Sequence, residues 1–270
     1  IHRIPGQLLM HRYRGFTLVE LVIVIVLLAI VATISVRFVS LSTQGALDVS
    51  SRQQRSLAGV VISEQISREV REALPTSIRT NPSGNCLEWM PILAASNYLD
   101  LPRGANPDSF QAVPLPGGAS ASGRVVVYGY GSDVYSPGSP GPISPPATMP
   151  SGASPVTVTF DSGATHRFSA QSPERRFYVV GEPVSVCQVG VYLYRYRNYG
   201  INVSPASGLP SSYPDREVMA ATLANNSLNF QVTPPSLQRG AVVSFGFVLA
   251  DPDSGEATDI SQEVQIRNVP

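Results

Sequence analysis

From Phe16 to Val36 the chain runs for 21 residues with one charged side chain, Glu20. At about 1.5 Å of rise per residue, a helix of that length covers roughly 32 Å, enough to cross the hydrocarbon core of a bilayer. A carboxylate inside such a span costs up to about 3 kcal/mol, so it normally has a partner and a role. The run itself holds no basic residue that could be that partner. The cation must come from another chain, or from an amine created by cutting this one.

Just before the run stands Met10-His11-Arg12-Tyr13-Arg14-Gly15, and the run opens Phe16-Thr17-Leu18-Val19-Glu20. A basic leader ending in glycine, then Phe-Thr-Leu-Val-Glu and a block of Leu, Val and Ile, resembles the N-terminus of type IV prepilins and of the pseudopilins of secretion systems. The resemblance implies that prepilin peptidase, a membrane aspartyl protease, cuts between Gly15 and Phe16 and that the new Phe16 amine is N-methylated. It also implies that Glu20 pairs with the Phe16 amine of a neighbouring subunit during assembly. The plainer reading is a signal anchor with an incidental glutamate. A cleaved secretory signal fits less well, because its cut would follow the apolar run and Ala29-Ile30-Val31-Ala32 is a poor small-residue site. Met10 is the expected start of the leader, and residues 1–15 are expected to be discarded.

Arg12 and Arg14 precede the run, so the positive-inside rule keeps them cytoplasmic and places the rest of the chain outside the inner membrane, in the periplasm. Two cysteines, Cys86 and Cys187, then lie in an oxidising compartment, where a pair is expected to bond. Two ligands do not make a metal site. Of the 19 basic residues, three lie in the leader, leaving 16 against 19 acidic side chains. That mildly acidic balance argues against a nucleic-acid surface, which needs a basic patch. Arg175-Arg176 and Arg195-x-Arg197 are short clusters on expected solvated faces.

The fold class expected is α+β: a long N-terminal helix packed on a β-rich globular head, the lollipop layout of pilins. Residues 16–36 form its transmembrane or filament-core half. Residues 37–74 continue it as an amphipathic helix, with Leu57, Val61, Ile66, Val70 and Leu74 approximating one face. Pro75 stops it. A kink is placed near Gly45 or Gly59. The head covers residues 75–270. Cys86–Ile92 and Arg124–Tyr130 read as strands, whereas 136–155, crowded with proline and glycine, reads as a connector or recognition loop. Further strands are expected at Val156–Phe160, Arg176–Val180, Val184–Cys187, Val191–Tyr196, Leu228–Val232, Ala241–Leu249 and Ser261–Arg267. Tyr192, Tyr194 and Tyr196 share a face, read as paired rings on a half-exposed sheet or else as a stacking surface for sugars or bases.

Within the prepilin group, the strand-rich head, the helix stretch Val61–Pro75 and the ending Glu263–Pro270 are most similar to MshO-type minor pilins of the mannose-sensitive haemagglutinin (MSHA) pilus. That resemblance implies a structural subunit that initiates or caps a pilus and associates with other major and minor pilins through helix 16–36. The alternatives are a J-type pseudopilin of type II secretion and a pilus-tip adhesin. Catalysis is not expected. His166 is the one histidine beyond the leader, and the sequence has no P-loop and no H-E-x-x-H. No cofactor is expected. Asp251, Asp253, Glu256 and Asp259 form an acidic cluster that is a weak calcium candidate, but its spacing departs from the EF-hand loop and a solvated hairpin turn is the better reading.

Overall fold

A computed structural model describes residues 15–101, 106–131, 133–251 and 254–267. The chain divides into two compact units, the first ending at Gln53 and the second beginning at Gln54. Helix α1, Leu18–Arg71, contributes to both and is continuous over 54 residues, through Gly45 and Gly59.

In the first unit, every helical residue from Leu18 to Ser50 is exposed. Valine and isoleucine are only moderate helix formers in water. In lipid or among other helices, however, a helix is what satisfies every backbone N–H and C=O internally. Two hydroxyls along this part of the helix follow the same rule. Thr33 Oγ1 donates to Ile30 O at 2.8 Å and Thr43 Oγ1 to Val39 O at 2.8 Å, so neither breaks the apolar surface with an unmet donor.

The second unit holds the last turns of α1 and strands β1 (Arg79–Thr80), β2 (Cys86–Trp89), β3 (Ile92–Asp100), β4 (Ser109–Ala112), β5 (Ala121–Val126), β6 (Ile143–Met149), β7 (Val156–Phe160), β8 (Arg176–Val180), β9 (Val184–Val189), β10 (Tyr192–Tyr196), β11 (Arg216–Ala220), β12 (Asn229–Thr233), β13 (Val242–Ala250) and β14 (Ala257–Gln265). Strands β1-β2-β9-β10-β11 form one sheet and β12-β13-β14 a second, and β3-β4-β7-β6-β5-β8 close into a barrel. The pairings described are antiparallel. The molecule is therefore α+β, one long helix followed by a β-rich head.

Ile62, Ile66 and Val70 of α1 pack into a core shared with Leu87, Trp89 and Leu193 of the first sheet and Phe245, Phe247 and Leu249 of the second. The buried face matches the expected one at Ile66, Val70 and Leu74 but not at Leu57 and Val61. Leu57 and Val61 are more than half exposed, and the contact side is Arg55, Gly59, Ile62, Ser63, Ile66, Ser67 and Val70. Small residues carry this interface because the sheet approaches closely. A Cβ on Gly59 would lie 2.5 Å from Ile260 Cδ1. The helix ends at Arg71, where Ala73 N bonds back to Val70 O, and its last turn carries Arg68 and Arg71, favourable at the negative end of the helix dipole.

The barrel has its own core, in which Phe110 meets Phe177 edge-on at 5.4 Å between centroids and Phe160 packs beside them. Where a connector is expected at 136–155, the chain instead forms β6 through Ile143–Met149. Its Pro145 and Pro146 lack donors, and its pairing with β7 is confined to Ala147 and Thr148. Likewise β5 ends at Val126 rather than reaching Tyr130, because Tyr128 takes a left-handed φ of 47° that leaves the sheet. The short strands β4 and β11 have no counterpart in the periodicity reading.

Candidate processing and assembly site

Gly15, Phe16 and Thr17 precede the helix and are exposed. A Cβ on Gly15 would meet nothing within 4 Å, so the Gly15–Phe16 bond lies open. Thr17 Oγ1 accepts the Glu20 N–H at 3.3 Å, capping the first turn and contributing about 1 kcal/mol. Thr17-x-x-Glu20 has the spacing of a capping box, and it places the Glu20 carboxylate at the positive end of the helix dipole. Among the described residues no cation pairs with Glu20. Beyond it the helix surface stays apolar and unburied as far as Val36, and the helix is long and apolar enough to cross a membrane.

The other candidate residues belong to the second unit. Cys86 and Cys187 face each other across β2 and β9 and are joined by a disulfide that spans 101 residues of sequence. Asp251 and Glu256 flank the β13–β14 turn and are taken up by Arg55, whose two terminal nitrogens lie 2.6 Å from one oxygen of each. A cation of the chain itself therefore occupies two of the four carboxylates that motivated a calcium reading. Asp259 is exposed on β14, Asp253 lies outside the described residues, and no metal-competent group of three or more His, Cys, Asp or Glu occurs among the described residues. His166 is buried against Phe160 and Phe168, with Nε2 3.2 Å from Gly141 O, and burial pushes its pKa below the ordinary value. The rings of Tyr192, Tyr194 and Tyr196 run in series at 5.7 and 6.0 Å, with Arg216 over Tyr194 and Tyr196 buried. This is the half-exposed paired-ring face expected of them.

One polar centre has no counterpart in the motif reading. Glu88 is fully buried, 2.5 Å from Arg79 Nε, and accepts from Tyr199 OH at 3.0 Å. Arg79 also donates to the carbonyls of Asn202 and Val203 and sits over the Tyr135 ring. Burial, reinforced by the Glu88 charge, pushes the Tyr199 phenol far above its ordinary range, so it stays a neutral donor. The group ties the start of the head to the segment after β10. The signal was a lone acid inside the buried run Cys86-Leu87-Glu88-Trp89, which demands an internal partner.

The family described as the prokaryotic N-terminal methylation motif matches residues 10–36. No curated protein and no solved structure matches the chain. The matched segment covers the leader, the Gly15–Phe16 bond, Glu20 and the apolar run. It implies processing by prepilin peptidase and fits a membrane-anchored subunit. It points to a structural protein rather than to an enzyme, and it supports a place among the type IV pilin-like proteins and pseudopilins.

Proposed function

We propose that the chain is a minor type IV pilin of the MSHA type, a structural subunit that initiates or caps pilus assembly after cleavage between Gly15 and Phe16 and N-methylation of Phe16. The observation that carries this reading is the helix from Leu18 to Ser50, exposed throughout and apolar along its first half, which lies within a methylation motif. Only lipid or other helices can cover such a surface. Before processing it anchors the chain in the inner membrane with the head in the periplasm. After processing it packs among the equivalent helices of other major and minor pilins.

In that packed core, a lone carboxylate is strongly destabilising unless paired. Glu20 meets the Phe16 amine of a neighbour, and the pairing sets register along the fibre. The disulfide fits an oxidising compartment. The large head suits a terminal position, where it need not be accommodated at every repeat. Deleting the gene tests the reading: pili should disappear from the cell surface. Pili at normal number with attachment alone lost would establish an adhesin instead, and normal pili with loss of protein secretion would establish a pseudopilin.

A further inference from the structure

The second sheet ends in β14, a strand of nine residues paired on one side only. Its pairing with β13 runs from Ala257 opposite Ala250 to Gln265 opposite Val242 without a register shift. Asp251 N bonds to Glu256 O at one end of the hairpin and Ile266 N to Ala241 O at the other. Ladder bonds alternate along an antiparallel pair. The backbone groups of Thr258, Ile260, Gln262 and Val264 therefore meet β13, and those of Ala257, Asp259, Ser261, Glu263 and Gln265 point away from it. Among the described residues nothing hydrogen-bonds to these outward groups. Free edges are usually blunted by a proline, a lysine or a bulge, and β14 has none of the three.

The residues with outward backbone groups are also the exposed ones of the strand. Two are acidic, Asp259 and Glu263, and neither has an ion-pair partner among the described residues. Beside Glu263 the sheet surface carries a groove of about 400 Å³, open where Gly246 has no side chain and bordered by Asn229, Gln231, Ser244 and Ser261. Glu263, Ser244 and Gln231 lie side by side in one cross-strand row. A long side chain reaching in from a strand added beyond β14 would lie along that row.

The charges decide the occupant. A second copy of β14, paired antiparallel over its full length, would set Asp259 against Glu263 twice, and like charges directly opposite are destabilising. A strand with cations at two positions four residues apart meets both carboxylates instead. We propose that the free edge of β14 accepts an extended strand from a partner protein of different sequence, with arginine or lysine opposite Asp259 and Glu263 and the cation beside Glu263 lying in the groove. That this partner is another pilin rests on the assembly role; the edge itself does not, so peptide binding and pilus formation can be lost separately.

The test uses the full chain in nanodiscs of zwitterionic lipid and two probes: an end-blocked peptide alternating valine and arginine, and its counterpart with glutamate for arginine. Hydrogen exchange over residues 257–265 is read by mass spectrometry. In the free chain the outward amides should exchange fast. The arginine peptide should slow them about tenfold, and the glutamate peptide should bind about tenfold more weakly. Ser261→Pro removes an N–H that makes no bond to β13, so the hairpin should persist and the protection should vanish. Asp259→Lys/Glu263→Lys should reverse the preference toward the glutamate peptide. No protection, equal binding of the two peptides, or protection that survives in Ser261→Pro would overturn the proposal. So would a dimer of the full chain that Ser261→Pro dissolves, which assigns the edge to a second copy. If Ser261→Pro does not fold, the reversal in the double variant decides alone.

Discussion

At Glu88 a carboxylate with no exposure faces one guanidinium and one phenol, so its partners are irreplaceable in a way that those of surface acids are not. Glu88→Gln should destabilise the folded chain by about 3 kcal/mol, read from urea denaturation, because Arg79 is left partly buried without its counter-charge. Arg55 is more accessible on its acidic side, where Asp251 and Glu256 retain some solvent, and Arg55→Ala should cost less, about 1–2 kcal/mol. His166 supplies the pH dependence. Its folded pKa lies below the ordinary 6.5 because burial disfavours the charged ring. The neutral ring's contribution is therefore complete above pH 6.5 and is lost as pH falls below it, since the unfolded chain binds the proton more readily. His166→Phe should flatten the slope of stability between pH 6.5 and 5; an unchanged slope would place the titration elsewhere. Gly141 O keeps a second donor, Ser169 N at 3.1 Å, so the variant should fold.

Among the elements, α1 shows what the sequence makes plain and what it hides. Its start, its length and its stop before Pro75 are legible in the run from Phe16 and in the proline itself. The buried face of its second half is only partly legible from apolar periodicity: Ile66 and Val70 are buried as the period requires, but Gly59, Ser63 and Ser67 share the contact while Leu57 and Val61 face outward. Gly59→Ala should be destabilising by about 1 kcal/mol, since its Cβ would lie 2.5 Å from Cδ1 and 2.7 Å from Cγ1 of Ile260, an overlap that outweighs the roughly 1 kcal/mol of helix propensity that alanine recovers. Gly59→Leu should cost about 1–3 kcal/mol by pushing helix from sheet, measured by thermal denaturation. Strand β6 was hidden for another reason. Proline and glycine mark loops by their backbone preferences, yet a barrel strand with few partners on one side tolerates Pro145 and Pro146 because no ladder bond asks for their missing N–H. By contrast Val156–Phe160 alternates so regularly that its strand matches the periodicity residue for residue.

For the whole molecule, the disulfide and the N-terminal motif make separate contributions. The disulfide closes a loop 101 residues apart in sequence, and in the chain-entropy account removing it should lower stability by about 4–5 kcal/mol. The double variant Cys86→Ala/Cys187→Ala measures this by denaturant midpoint. The architecture, a long helix followed by a strand-rich head, could be read from the sequence because an apolar run and alternating Val/Tyr/Phe segments have distinct periods. The ion pairs that bind distant segments, Arg55 to Asp251 and Glu256, could not, because nothing local encodes a partner some 200 residues away. The Gly15–Phe16 bond and Glu20 were read from their motif, whose geometry is an exposed bond followed by a capped first turn. The most direct test of the account is mass spectrometry of the chain's N-terminus, isolated from cells with and without prepilin peptidase. With the peptidase, the mature chain should begin at Phe16 bearing one methyl group, and without it the leader should remain. A mature chain that still begins upstream of Phe16 when the peptidase is present would contradict the account.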